Sequence, residues 1–221
     1  MPGLGLGRNL SKTRRSNNVD PKLGAHTFNG TSTKVELTNA MSLQDFTIMF
    51  WMKYTWDGVL AIRRVLDFRD GSLDGVTIAF TTSTIMRAVY NAVSLPVNTV
   101  ASAWAHIAVT ARTSTETMKI FINSAEVTSF SIAGTDIATT TAGRIGCNAT
   151  SATEFYSGQL AQMSVFDTPL AAATISGLMN KTYSQLSAGD KTNLVSWWAL
   201  TNIVGTSVPD LHGTNHGTLT P

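Results

Sequence analysis

The strongest constraint on this chain is a hydrophobic period of two. From Phe46 to Tyr54, the residues Phe46, Ile48, Phe50, Met52 and Tyr54 alternate with Thr47, Met49, Trp51 and Lys53. Successive side chains on a strand point to opposite faces, so one face here is wholly apolar and the other mixed. That is the pattern of a strand inside a two-sheet sandwich. Shorter runs of the same kind recur over 59–68, 76–81, 84–90, 105–112, 118–123, 126–131, 143–147 and 154–166, broken by Gly, Asn, Asp and Thr. Regularly spaced short strands with turn residues between them predict an all-β sandwich or barrel. Asn123-Ser124-Ala125-Glu126 predicts a tight hairpin. One helix is predicted after Phe166, with Thr168 as N-cap, Pro169 in the first turn and Leu170, Ile175, Leu178 and Met179 on its buried stripe. Ser187 with Asp190 three residues on predicts a capping box.

Composition removes the competing classes. Of 221 residues, 43% are hydrophobic and 14% charged, which excludes a disordered chain and a coiled coil. No run approaches the roughly 18 apolar residues of a membrane span, so no membrane partner is expected. The single cysteine, Cys147, cannot form an internal disulfide and is expected to be a small buried hydrophobe. The length fits one β-sandwich with a core large enough to need no staples.

The net charge of +2 hides an asymmetry. The first 22 residues hold Arg8, Lys12, Arg14, Arg15 and Lys22 against Asp20 alone, a net +4, which leaves the remainder at −2. The opening stretch is rich in Gly, Asn and Ser and has neither helical nor strand periodicity. Residues 1–24 are therefore expected to form an extended basic arm, and 25–221 the folded domain. The charges follow the Gly/Leu run and no apolar core of a signal peptide is present. Arg8, Lys12, Arg14 and Arg15 are the expected anchors to an acidic partner.

Several segments in order resemble the laminin-G-like, concanavalin A-like jelly rolls. They are Phe28-Asn29-Gly30 followed by Val35-Glu36-Leu37, Phe46-Thr-Ile-Met-Phe-Trp-Met-Lys53, Trp104-Ala-His-Ile-Ala-Val-Thr110, Met118-Lys-Ile-Phe-Ile-Asn123 and Arg144-Ile-Gly146. Phe155-Tyr-Ser-Gly-Gln-Leu160 with Val165-Phe-Asp-Thr-Pro-Leu170, and the run from Leu194 to Thr220, complete the set. The last run comes first in many relatives, so the arrangement here looks permuted. The resemblance implies two antiparallel sheets packed face to face, with one short helix, and binding or structural roles more often than catalysis.

Candidate chemistry is sparse. Glycosidases need paired carboxyls about 5–10 Å apart, and Glu36, Glu116, Glu126 and Glu154 have no acidic neighbour at i+2 or i+4 on a shared strand face. The relatives' Glu-x-Asp-x-x-Glu strand is absent, so no enzyme is expected. Asp67, Asp70 and Asp74 are the only local acidic cluster, and two of them sit in Asp-Gly turn pairs, so no metal or other cofactor is expected. His106 reads as a packed strand residue, and His212 and His216 lack a third zinc ligand. Trp51, Trp104, Trp197 and Trp198 are expected in the core. Tyr54, Trp56 and Tyr90 fall near predicted strand ends and are the candidate glycan contacts.

A laminin-G-like domain with one cysteine and a short basic arm resembles bacteriophage virion proteins. The expected function is a capsid decoration protein, made in the host cytoplasm, displayed on the particle surface and anchored through its arm to the major capsid protein or a second copy of itself. The alternative is a carbohydrate-binding adhesin of a phage tail or baseplate. A coat protein whose arm binds nucleic acid is a third, less favoured reading.

Overall fold

The computed structural model describes residues 20–69, 75–90, 93–99, 102–132 and 138–221. In chain order the strands are β1 (His26–Asn29), β2 (Lys34–Ser42), β3 (Phe46–Tyr54), β4 (Arg63–Arg69), β5 (Gly75–Phe80), β6 (Ile85–Tyr90), β7 (Val93–Asn98) and β8 (Trp104–Arg112). They continue as β9 (Thr117–Ile122), β10 (Ala125–Ser131), β11 (Ala138–Ile145), β12 (Ser157–Phe166), β13 (Leu194–Trp198), β14 (Ser207–Val208) and β15 (Gly217–Thr220). One helix, α1 (Ala172–Leu178), lies between β12 and β13. All the strand pairs are antiparallel.

The strands form two sheets. One runs β1-β12-β3-β8-β9-β10, with β13 sharing the outer edge of β12; the other runs β14-β15-β2-β11-β4-β5-β6-β7. The expected two-sheet antiparallel sandwich with one short helix is what the chain forms. The strand β3 has the bounds its alternation predicts, and its Phe46, Ile48, Phe50, Met52 and Tyr54 are all 1% exposed or less. Burying side chains of that size stabilises the fold by about 1.5–3 kcal/mol each.

The mixed face of β3 is buried as well. Met49 joins Ala108, Phe121, Phe166, Ile175, Leu178 and Trp197 in a second apolar cluster outside the main core. The helix α1 therefore acts as a lid on the back of the first sheet. The adjacent Trp197 and Trp198 split between the two clusters, as strand alternation requires. Each buried indole finds an acceptor: Trp197 Nε1 donates to Gln162 Oε1 at 2.8 Å and Trp198 Nε1 to the Asn215 carbonyl at 2.7 Å.

Local conflicts explain the motif residues. Gly146 has φ +90° and a Cβ there would lie 2.4 Å from the Phe28 ring; Gly158 has φ +142° and would meet the Lys53 carbonyl at 2.2 Å. No other residue fits either position. Asn29 Oδ1 accepts the backbone N–H groups of Thr31, Ser32 and Thr33, closing the turn that carries the chain from the first sheet to the second. The hairpin at Asn123-Ser124 has both central residues at positive φ, 50° and 67°. That is the primed geometry matching strand twist.

Three expectations fail. The helix starts at Ala172, capped by Ala171, and Thr168 caps nothing. Thr47 Oγ1 instead donates to the Thr168 carbonyl at 2.7 Å and accepts the Leu170 N–H at 2.8 Å, holding 168–170 extended against β3. Residues 59–62 are not strand: Val59, Leu60 and Ile62 are 51%, 82% and 40% exposed in the loop before β4. Nor do the predicted runs include β7, which carries Pro96; β7 is an edge, where a missing N–H costs no ladder bond. The box at Ser187 does form, with Ser187 N–H donating to Asp190 Oδ2 and Asp190 N–H to Ser187 Oγ.

Candidate binding groove

A well-formed depression lies on the outer side of the first sheet, where β8, β9 and β10 run out from under α1. Its volume is about 540 Å³, within the range of ligand sites. Strand register builds it. Ala108 sits beside Phe121, Thr110 beside Lys119, and Arg112 beside Thr117. Glu126 of β10 pairs with Phe121. The floor is the buried Phe121 ring. The wall is the 169–172 segment, Pro169-Leu170-Ala171-Ala172, fixed in place by the Thr47 bonds.

The rim is polar. Thr115 and Thr117 contribute hydroxyls, with Thr110 buried below them, and Thr117 Oγ1 donates to the Thr115 carbonyl, which leaves its lone pairs to accept from a ligand. Lys119 Nζ and Glu126 Oε2 form an ion pair at 2.9 Å, both about two-fifths exposed. Such a pair contributes little to stability. Arg112 is exposed, and among the described residues nothing pairs with its guanidinium.

None of the aromatics expected to touch a glycan lines this groove. Tyr54 and Tyr90 are each 1% exposed. Tyr54 stacks on Phe80 at 3.8 Å between ring centroids, and Tyr90 stacks on Phe46 at 6.1 Å. Both belong to the apolar face of their strands, so they pack inward, and this corrects their assignment as surface contacts. Burial pushes the Tyr54 phenol up to about 12. Trp56 is partly buried against the core, edge-on to Tyr54. Arg8, Lys12, Arg14 and Arg15 lie outside the described residues, as do Asp70 and Asp74.

The remaining candidates have structural work. Asp67 is 1% exposed, takes Arg69 Nε at 2.9 Å and Arg64 Nη1 at 3.2 Å, and accepts the Ala149 N–H. Arg64 in turn bonds Glu154. His106 is buried edge-on to Trp51, and burial lowers its pKa to about 3. His216 Nδ1 accepts the Asp210 N–H, while His212 Nδ1 meets the Tyr183 hydroxyl at 3.3 Å. Among the described residues no group of three or more His, Cys, Asp or Glu side chains could hold a metal ion. Cys147 is fully buried, as expected. Trp104, expected in the core, is only partly buried.

The family model described as the concanavalin A-like lectin/glucanases superfamily matches residues 29–176. The chain belongs to this family. The match stops before β13, so the strands after α1 lie outside it. No curated protein matches the sequence. Solved structures with the same fold include a candidate carbohydrate binding protein from Bacteroides ovatus, at TM-score 0.71 and 13% identity over 89% of this chain and 58% of that one. They also include the heptameric SAP-like pentraxin of Limulus polyphemus, at TM-score 0.56 and 16% identity over 72% and 82%. A third is the botulinum neurotoxin serotype D binding domain, at TM-score 0.57 and 12% identity over 69% and 41%. The chain thus spans under three fifths of the Bacteroides protein. At these identities the likeness is one of fold.

Proposed function

We propose that this chain is a non-catalytic, lectin-like module that binds a saccharide in the groove between β8–β9 and the 169–172 segment. The observation that carries the reading is the composition of that groove: an apolar floor at Phe121 and an apolar wall at Pro169 and Leu170 under a rim of hydroxyls and charge. Sugars present apolar C–H faces and hydroxyl edges, and the two surfaces match. The family and the Bacteroides neighbour support the same class of ligand. The test is a glycan array probed with the full chain and with Thr117→Trp, which fills the groove from an outward strand position. Wild-type binding that the variant loses supports the site. Absence of binding to every saccharide, or equal binding by the variant, refutes it.

A second reading is favoured by one feature of the sequence. The +4 of the first 22 residues against the −2 of the rest suits an anchor to acidic protein, as on a virion surface. Display on a capsid, tail or baseplate would leave the groove free for glycan. Deleting residues 1–19 tests this: normal incorporation of the shortened protein into particles would refute arm anchoring.

A further inference from the structure

Among the charged side chains of the groove, Lys119 and Glu126 neutralise each other at 2.9 Å. Arg112 does not have such a partner among the described residues. Glu116, four residues on, and Asp45, which bonds the neighbouring Thr113, do not line the groove. Asp45 Oδ1 is occupied by the Thr113 N–H and hydroxyl, each at 2.8 Å. Among the described residues the groove therefore carries one uncompensated positive charge, and it is a guanidinium, whose planar fork fits a carboxylate at two points. Beside it, in register on the next strand, is the Thr117 hydroxyl.

We infer that the preferred ligand of this groove is an acidic saccharide whose carboxylate is held by Arg112. This rests on the saccharide reading of the groove and adds the class of sugar. The register gives the mode. A carboxylate at Arg112 places the attached ring along the Thr117 hydroxyl, with its C–H face toward Phe121 and Leu170. The next residue of the chain would reach the Lys119–Glu126 pair, where a donor and an acceptor face hydroxyls of either sense. An acidic peptide could satisfy the guanidinium but would bring no apolar ring face to Phe121 and Leu170.

The experiment is calorimetric titration of the full chain with trigalacturonate, galactotriose and pentaglutamate at low salt. The expected result is at least about tenfold tighter binding of trigalacturonate than of galactotriose, equal to about 1.4 kcal/mol. Salt should narrow the gap. Arg112→Gln should abolish the preference, bringing trigalacturonate down to the affinity of galactotriose. Arg87→Gln, which removes an exposed arginine on the second sheet, should change nothing. Equal affinity for the acidic and neutral trisaccharides, or a preference that survives Arg112→Gln, overturns the inference and leaves the groove a saccharide site. Pentaglutamate binding as tightly as trigalacturonate overturns it in favour of an acidic peptide. Failure of all three to bind overturns this inference, and the glycan array then decides the saccharide reading separately.

Discussion

Replacing Asp210 with alanine should cost this fold a large fraction of its stability. The carboxylate is 5% exposed and organises the loop between β14 and β15. Its Oδ1 accepts the N–H groups of Trp197 at 2.9 Å, His212 at 3.0 Å and Gly213 at 3.0 Å, and its Oδ2 that of Asn215 at 3.2 Å. Two of these bonds, from Trp197 and Asn215, are fully buried. A buried donor left without an acceptor costs about 1–3 kcal/mol, so the two together put the loss at roughly 2–6 kcal/mol. Total stabilities are only about 5–15 kcal/mol. In a domain of this size 1 kcal/mol moves Tm by about 2–4 °C, so a fall of at least about 4 °C is expected. Urea unfolding followed by tryptophan fluorescence measures it directly. Burial opposes the charge on Asp210, but the backbone N–H donors led by Trp197 outweigh it and hold the carboxyl below its ordinary value. A depressed carboxyl contributes in full above its unfolded value and loses that contribution as pH falls through the folded one. Wild type and Asp210→Ala should therefore converge in strong acid. A variant within about 0.5 kcal/mol of wild type at pH 7, or a gap that persists unchanged at low pH, would refute the reasoning.

Other outcomes follow from single residues. His106 is held neutral by burial, with a value of about 3 against 6.5 unfolded, so stability should decline as pH falls below about 6.5; unfolding midpoints of His106→Leu should lack that slope. Burial pushes the Cys147 thiol up to about 11, so a disulfide reagent at pH 8 should label unfolded but not folded protein. Ser124 pays for a left-handed conformation at φ 67°, so Ser124→Gly should raise stability by roughly 1 kcal/mol in chemical denaturation.

Alternation made the sandwich legible. The strand β3 was readable to the residue because neither Gly nor Pro interrupts it and both its faces carry apolar bulk. Val59–Ile62 looked like more of the same, since hydrophobicity alone does not say whether a run is covered. The site was less legible. Tyr54 and Tyr90 drew attention as aromatics near strand ends, but their phase within β3 and β6 already put them on the inward face. The same phase argument places Thr110, Arg112, Thr117 and Lys119 on the outer face of two consecutive predicted strands, and that was the available signal for the groove. Its wall was not readable, because the pairing of 168–170 with Thr47 joins residues more than 120 positions apart.

The pairing order also sets a schedule. Strand β1 has its partner in β12, with His26 opposite Leu160, and β2 is completed only by β15, with Lys34 opposite Thr220. Topologies dominated by such distant pairs fold in milliseconds to seconds, far slower than helical bundles. During synthesis, the chain must carry β2 with one edge open until β15, which begins at Gly217, has been made. An open edge is a template for the wrong partner. Lys34 and Glu36 on that strand, paired with each other at 2.9 Å once folded, would put charge on the waiting edge during exactly that interval.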